Sequence, residues 1–173
     1  QLKKVEFESD SELELIDQNA FLNTQIESII IPPHVTEIGD HCFSCCEKLE
    51  SVSFAENSEL HKIGINAFFC SRIKRLTIPS SVVEFSEGWC SSTLHLNDIN
   101  IIENDDQNIS LFDGKYILGK TNLKSSIFDV LLFSCRNIEY ATIPSFVKFI
   151  SPYSFEKCTK LRRVVCSKDS KLK

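Results

Sequence analysis

The chain has 173 residues, with 19 lysines and arginines against 24 aspartates and glutamates, and its formal net charge is −5 at pH 7. No stretch approaches the roughly 20 consecutive apolar residues of a transmembrane helix, so we expect no membrane contact within this segment. The basic residues are not interleaved with aromatic residues, as they are in proteins that stack nucleic-acid bases, and we expect no nucleic-acid partner.

A short apolar pattern recurs along the chain and indicates its architecture. The motif apolar-x-x-apolar-x-apolar starts near Leu2, Ile26, Leu49, Ile73, Leu96, Ile138 and Leu161. A period of 23 or 24 residues is typical of stacked units that bury a hydrophobic face only against their neighbours. We therefore predict a single solenoid segment over residues 1–173. Neither end resembles a capping repeat and methionine is absent, so we expect a fragment of a longer protein.

Each repeat predicts a strand and then a tight corner. The segment 49–54 alternates apolar and polar residues, which indicates a strand with one buried face. In three repeats a proline (Pro32, Pro79 or Pro144) follows this strand, and because proline lacks an N–H we expect it to end the pairing there. The second half of the repeat, as in 38–43, is too short for a full helix. We predict a short strand or turn there, followed by a single helical turn.

The fourth repeat departs from the pattern of its neighbours. The other repeats place an aromatic residue five positions after an apolar one and put a small residue just before it, as in Ala67-Phe68. Counting from Phe85 instead puts Trp89 in the small column and Cys90 in the aromatic column. We interpret this as a one-residue deletion.

An insertion at about 102–137 interrupts the period. It contains Asp113-Gly114 between apolar and aromatic residues, a strong signal for a two-residue hairpin turn. A further strand at 130–133 should then return the chain to the stack. We interpret the insertion as a hairpin elaboration of the solenoid and not as a second domain.

The cysteines and acidic residues suggest chemistry that the spacing does not support. Cys42-x-x-Cys45 lacks the second pair of a zinc site, and the acidic residues of the insertion (Glu103, Asp105, Asp106 and Asp113) lack the glycine-bearing loop of a calcium site. Most of the eight cysteines occupy apolar columns, which favours small buried hydrophobes. A bridge between Cys46 and Cys70 in neighbouring coils remains the alternative for an oxidising compartment.

The sequence carries no recognised catalytic or cofactor motif. It has no nucleophile elbow, no phosphate-binding glycine loop and no His-Glu-x-x-His. We therefore expect no enzyme activity, no cofactor and no metal. Asn108-Ile-Ser is a sequon for N-glycosylation, so Asn108 is a possible glycosylation site if the chain is secreted.

Three segments together resemble the BspA-like leucine-rich repeats. They are Ile-Pro-Ser-Ser-Val at 78–82, the run from Ile38 to Cys46 and Ile-Gly-Ile-Asn-Ala-Phe at 63–68, and the likeness covers nearly the whole chain apart from about 97–137. The abundance of Cys, Ser, Glu and Asn is most similar to surface proteins of parasitic protists such as trichomonads.

This resemblance implies a β-rich solenoid with one parallel strand per coil and a location at the cell surface or outside the cell. It also implies an adhesin or antigen that binds a protein or glycan on a host cell or in the extracellular matrix. The alternative is a structural spacer or stalk that projects other domains and has no ligand of its own. The sequence does not name the ligand.

Parallel pairing of the strands would place their outward residues on one extended, concave sheet face. Arginine and aromatic residues often carry binding energy, and small hydroxyl residues dominate the rest of the face. The predicted binding residues are Ser28, Ile30, Ser51, Ser53, Arg75, Thr77, Tyr140, Thr142 and Arg163.

Overall fold

The computed structural model describes residues 2–8 and 10–173, and that part of the chain contains fourteen strands and no helix. The strands are β1 (Leu15–Ile16), β2 (Ser28–Ile31), β3 (Glu37–Ile38), β4 (Ser51–Phe54), β5 (Lys62–Ile63), β6 (Arg75–Pro79), β7 (Glu84–Phe85), β8 (Asp98–Ile102), β9 (Ser110–Phe112), β10 (Tyr116–Gly119), β11 (Val130–Ser134), β12 (Tyr140–Ile143), β13 (Phe149–Ile150) and β14 (Arg163–Cys166). Among the described residues, no helix is long and apolar enough to cross a bilayer.

The strands stack in parallel columns and confirm the predicted solenoid. Strands β2, β4, β6 and β8 form one sheet, and β1, β3, β5 and β7 form a second sheet of two-residue strands. The pairing keeps equivalent residues opposite each other, since Val52 faces Ile29 on one side and Leu76 on the other. Each coil therefore repeats the backbone path of the coil before it.

The core is built from the same columns of side chains in successive coils. Ile26, Leu49, Ile73 and Leu96 open four consecutive repeats and are each 0% exposed. The aromatic column forms a stack, in which the ring centroids of Phe43 lie 5.2 Å from those of Phe21 and 5.4 Å from those of Phe68. Burial of one such side chain contributes about 1.5–3 kcal/mol, so each coil adds a similar increment of stability.

The corners of the coils are linked turns and not the single helical turn that we predicted. In the second coil His41 and Cys45 have positive φ angles of 53° and 56°, and the third coil repeats this at Asn66 and Cys70. The N–H groups of His41, Phe43 and Cys45 donate to carbonyl groups of the next coil at 2.7–2.8 Å. A helical turn would direct these donors back along its own segment, so bonding between coils excludes it.

The fourth coil has no deletion, which corrects our interpretation. Its left-handed residues, Gly88 and Ser92, are four positions apart like those of the other coils. Trp89 therefore occupies the backbone position that holds a small residue in the other coils, and Cys90 occupies the position that holds an aromatic residue. The ring of Trp89 packs against Phe85 and Phe133, with centroid distances of 5.0 and 5.8 Å.

The insertion forms the hairpin that the Asp-Gly signal predicted. Strands β9 and β10 pair antiparallel, and the turn residues Asp113 and Gly114 both have positive φ angles of 53° and 61°. The paired residues Phe112 and Tyr116 are joined by three residues, 113–115, so the connection is one residue longer than the two-residue turn that we predicted. Strand β11 then pairs antiparallel with β10 and parallel with β13. The segment 130–133 thus returns the chain to the column of short strands, as expected.

The insertion also leaves a seam between the fourth coil and the coils that follow it. Neither β8 with β12 nor β7 with β11 forms a ladder in the described residues. The guanidinium of Arg136, a residue only 2% exposed, lies across this seam. It donates to the carbonyl oxygens of Ser154 at 3.2 Å and Cys90 at 3.5 Å and stacks over the ring of Phe133.

A buried carboxylate closes the long loop of the insertion. The side chain of Asp129 is 5% exposed and accepts hydrogen bonds from the backbone N–H of Thr121 at 2.9 Å and from Lys148 Nζ at 3.0 Å. Burial opposes the charge on Asp129, but the bonds from Thr121 and Lys148 outweigh it and lower its pKa to about 2. Asp129 therefore joins the loop to the following coil as an anion.

Truncation of the aromatic stack should destabilise the whole chain. We expect Phe43→Ala to lower the free energy of unfolding by about 3–5 kcal/mol, because it leaves a cavity between two stacked rings. The matched change Tyr140→Ala, at a side chain that is 60% exposed, should stay within about 0.5 kcal/mol. Urea denaturation followed by circular dichroism measures both, and equal effects would contradict a core role for the stack.

Removal of the charge on Asp129 should alter the dependence of stability on pH. The folded pKa is lowered to about 2, so the carboxylate stabilises the fold above its unfolded pKa of about 4, and this contribution fades as the pH falls from there through 2. We expect Asp129→Asn to be roughly 2 kcal/mol less stable at pH 7 and to converge with the parent chain near pH 2. Urea midpoints between pH 2 and 7 test this, with the exposed Asp105→Asn as the control; a pH-independent difference would contradict it.

Candidate recognition surface

The outward residues of β2, β4, β6 and β8 form a surface that we call the first strand face. Ser28 lies opposite Ser51, Ser51 opposite Arg75, and Arg75 opposite Asp98. The neighbouring column contains Ile30, Ser53, Thr77 and Asn100, which follow the same register. The structure thus places the predicted residues of these four strands side by side.

The predicted face is not continuous, however. Because the chain leaves the stack after β8, strands β12 and β14 form a separate two-stranded sheet. The outward residues Tyr140, Thr142 and Arg163 lie on this sheet, which we call the second strand face, with Tyr140 opposite Arg163. The sequence therefore predicted the two columns correctly but wrongly joined them across the insertion.

Opposite charges pair across the strands of the first strand face. Arg75 Nε lies 2.7 Å from Asp98 Oδ2, and Lys74 Nζ lies 2.6 Å from Glu50 Oε1. The hydrogen bond from Lys74 lowers the pKa of Glu50, so this carboxyl is anionic at neutral pH. All four side chains are about half exposed or more, so water screens the pairs and they add little to stability.

A groove of about 520 Å³ lies along these charged pairs. Besides Ser51, Arg75 and Asp98, it is lined by Glu50, Lys74, His95 and Asn97. Of the residues that line the groove, the binding residues predicted from the sequence include Ser51 and Arg75 but neither Asp98 nor these four flanking residues. The repeat contained the signal for three of them, since Glu50, Lys74 and Asn97 stand immediately before the first residue of consecutive strands.

The most exposed apolar side chains of the two faces are Ile30 and Tyr140, at 66% and 60% exposure. Neither contributes to the core. Exposed apolar side chains beside polar and charged groups are typical of protein-binding surfaces. Ser53 and Thr77, by contrast, are half-buried between their neighbours.

The cysteines are eight free thiols. Cys42, Cys46, Cys90, Cys135 and Cys158 are buried, as predicted for small hydrophobes, whereas Cys45, Cys70 and Cys166 are not. Cys46 donates to the backbone oxygen of Phe21 at 3.0 Å and Cys70 is exposed, so the alternative bridge between them is not formed. Burial raises the pKa of Cys42 and Cys90 to about 12, so these thiols stay protonated and unreactive at neutral pH.

The remaining candidate groups of the insertion lie apart from one another. Asp113 sits at the hairpin turn and pairs with Lys115 at 2.8 Å, whereas Glu103, Asp105 and Asp106 line a cleft of about 390 Å³. Among residues 2–8 and 10–173, no group of three or more His, Cys, Asp or Glu side chains could hold a metal ion. Asn108 is half-buried and its side-chain amide donates to the carbonyl oxygen of Ser81 at 3.0 Å, a bond that a glycan on this nitrogen would disturb.

Three solved structures share this architecture. The pneumococcal vaccine antigen PcpA is 24% identical, covering 95% of this chain and 39% of that one with a TM-score of 0.76. A leucine-rich cell surface protein from Faecalibacterium prausnitzii is 19% identical over 86% of this chain and 44% of that one, with a TM-score of 0.67. A leucine-rich repeat protein from Eubacterium ventriosum is 20% identical over 93% and 47%, with a TM-score of 0.68.

At these identities the solved structures establish the fold alone, and this chain spans less than half the length of each. No curated protein matches the chain significantly. The family model of the BspA-type leucine-rich repeat region, six copies long, matches residues 1–118 and 117–172. Since the two matches together cover nearly the whole sequence, the chain belongs to the BspA-type leucine-rich repeat family.

Proposed function

We propose that this chain is a non-catalytic recognition module at the cell surface or in a secreted protein, and that its strand faces bind a protein or glycan of a host cell or of the extracellular matrix. Two of the similar solved structures are described as a vaccine antigen and as a cell surface protein, which supports the location. The likeness to protist surface proteins remains a prediction from composition.

The observation that carries the proposal is the row of outward side chains on the first strand face. The inward residues of these strands fill the core, so the outward residues are not needed for packing. Together with the flanking residues Glu50, Lys74, His95 and Asn97, they place two cations, two carboxylates, an imidazole and an amide around one groove. Such groups donate and accept hydrogen bonds in the alternation that sugar hydroxyls or a polar protein surface require.

The charged pairs of this groove can exchange partners at low energetic cost. Each is exposed to water, so the pair gives up little when one member turns to a ligand. A guanidinium such as that of Arg75 offers several donors in a fixed plane and suits carboxylate or sugar-hydroxyl partners. The second strand face, with Tyr140 and Arg163, supplies the aromatic surface that the first lacks.

A binding screen followed by charge reversal tests the proposal. The 173-residue chain is screened against immobilised matrix proteins and glycans, and Arg75→Glu is then compared with the parent chain on each ligand found. We expect the reversal to weaken capture about tenfold, because it removes a cation and sets two carboxylates against each other.

The matched control is Lys124→Glu, which makes the same charge change at an exposed position of the insertion away from both strand faces. It should leave capture unchanged. Equal loss in both variants would indicate a nonspecific effect of net charge. If none of the screened matrix proteins and glycans binds, the alternative role as a spacer or stalk is favoured.

A further inference from the structure

A cavity of about 640 Å³ lies where the first repeat fails to pair with the second. Residues 2–7 carry the apolar pattern of a strand, but they form none, and β2 is the outer strand of its sheet. Among the described residues, no backbone hydrogen bond joins residues 4–8 to β2. One edge of β2 therefore has no strand beside it, although β4 and β6 are paired on both edges.

This opening is closed at both ends, so it is a slot and not a frayed margin. At one end the N–H of Gln25 donates to the carbonyl oxygen of Leu2 at 3.0 Å. At the other end the N–H of Thr36 donates to the backbone carbonyl oxygen of Glu14 at 2.9 Å, and β1 pairs with β3. Between these contacts the two segments enclose about 640 Å³, a volume within the usual range of ligand sites.

The walls of the slot combine apolar side chains with an acidic rim. Val5 and Phe7 line one side, and Ile30, at 66% exposure, lines the other. Ile29 and Ile31 also border the slot, but their side chains are 2% and 0% exposed and belong to the core. Among the described residues that line the slot, Lys4 is the one base, and it already pairs with Glu6 at 2.6 Å. In the described part of the chain Glu8 forms no ion pair, and it lies within a region, residues 1–60, that holds thirteen acids against three lysines.

We propose that this slot binds an extended basic peptide of a partner protein, which adds to the open edge of β2 as a strand. The unpaired backbone of β2 provides the ladder, the apolar walls accept alternate side chains, and the acidic rim selects lysine or arginine on the others. The proposal deepens the recognition function above, because Ile30 belongs both to the slot and to the first strand face.

The chain itself supplies a suitable probe. A synthetic peptide with the sequence of residues 73–79, Ile-Lys-Arg-Leu-Thr-Ile-Pro, is basic and already pairs in parallel with the strand that follows it in the stack, since Arg75 and Thr77 lie opposite Asp98 and Asn100 of β8. We expect saturable binding to the ¹⁵N-labelled 173-residue chain, with chemical-shift changes concentrated at 4–8 and 28–31. A peptide with both basic residues changed to glutamate should bind at least about tenfold more weakly, since like charges then face each other.

A matched pair of variants locates the site. Ile30→Arg places a cation in the slot and should weaken peptide binding about tenfold, whereas Ile127→Arg makes the same change at an exposed position of the insertion and should leave binding within about twofold. Both side chains are exposed, and circular dichroism checks that both variants fold. As a second test on the peptide side, methylation of the backbone nitrogen of its threonine or of its leucine removes a ladder donor, and at least one of these two changes should also weaken binding.

The proposed peptide site would be overturned by absence of saturable binding, by shift changes remote from β2, or by equal affinity of the Ile30→Arg and Ile127→Arg variants. These outcomes are separable from failure of the recognition function. If ligand capture depends on Arg75 while the peptide does not bind, the proposed binding by the first strand face is supported and the proposed peptide site in the slot is contradicted. If the peptide binds and the screen finds no ligand for the first strand face, the peptide site is supported and ligand binding by that face is contradicted.

Discussion

The fold depends on backbone hydrogen bonds that run from each coil to the next. At every regular corner, alternate N–H groups donate to carbonyl oxygens one coil further along, as from Phe43 to Ala67 and from Phe68 to Trp89. These bonds fix the offset between coils, and the parallel strands repeat the same offset on the other sides. Side chains of one column must then lie on top of each other, which is why the sequence repeats its apolar residues at a nearly constant period.

Where the insertion interrupts this bonding, the chain fills the gap with a side chain. The carbonyl oxygens at this seam each accept one other hydrogen bond, that of Cys90 from the hydroxyl of Thr93 and that of Ser154 from the N–H of Ser134, and Arg136 adds a second donor to both. The guanidinium of Arg136 has several donors on one planar group and reaches carbonyl oxygens from Cys90 on one side to Ser154 on the other. Its charge is buried without a carboxylate partner among the described residues. The carbonyl dipoles and the face of the Phe133 ring stabilise this charge instead.

The parts of the fold that the sequence predicted are those with local or periodic signals. The apolar columns, the strands and the register between them follow from the period, and the Asp113-Gly114 turn follows from two residues alone. The corners did not follow, because with the exception of Gly88 their left-handed conformations fall on residues other than glycine, such as His41, Cys45 and Tyr153. Trp89 was misread for a related reason, since the backbone and not side-chain size fixes the register of a coil.

For the candidate surface, the sequence indicated which residues point outward but not how far the face extends. Arg75 and Asp98 are adjacent because the period makes them so, and the same count would have added Lys74 and Asn97 to the groove. The break before Tyr140 depends on how the insertion packs, and no column count contains that information. The slot beside β2 was also unpredictable, because the first repeat has the apolar pattern of a strand and nevertheless forms none.

Both candidate sites result from one property of stacked coils. Inward side chains and corner backbone groups are committed to the neighbouring coil, so they are unavailable to a ligand and constrained in sequence. Outward strand residues carry no such constraint, and Ser51, Arg75 and Asp98 occupy equivalent positions with quite different chemistry. An unpaired edge such as that of β2 retains backbone donors and acceptors that the stack would otherwise use. Binding capacity in this chain therefore lies where stacking leaves groups unused.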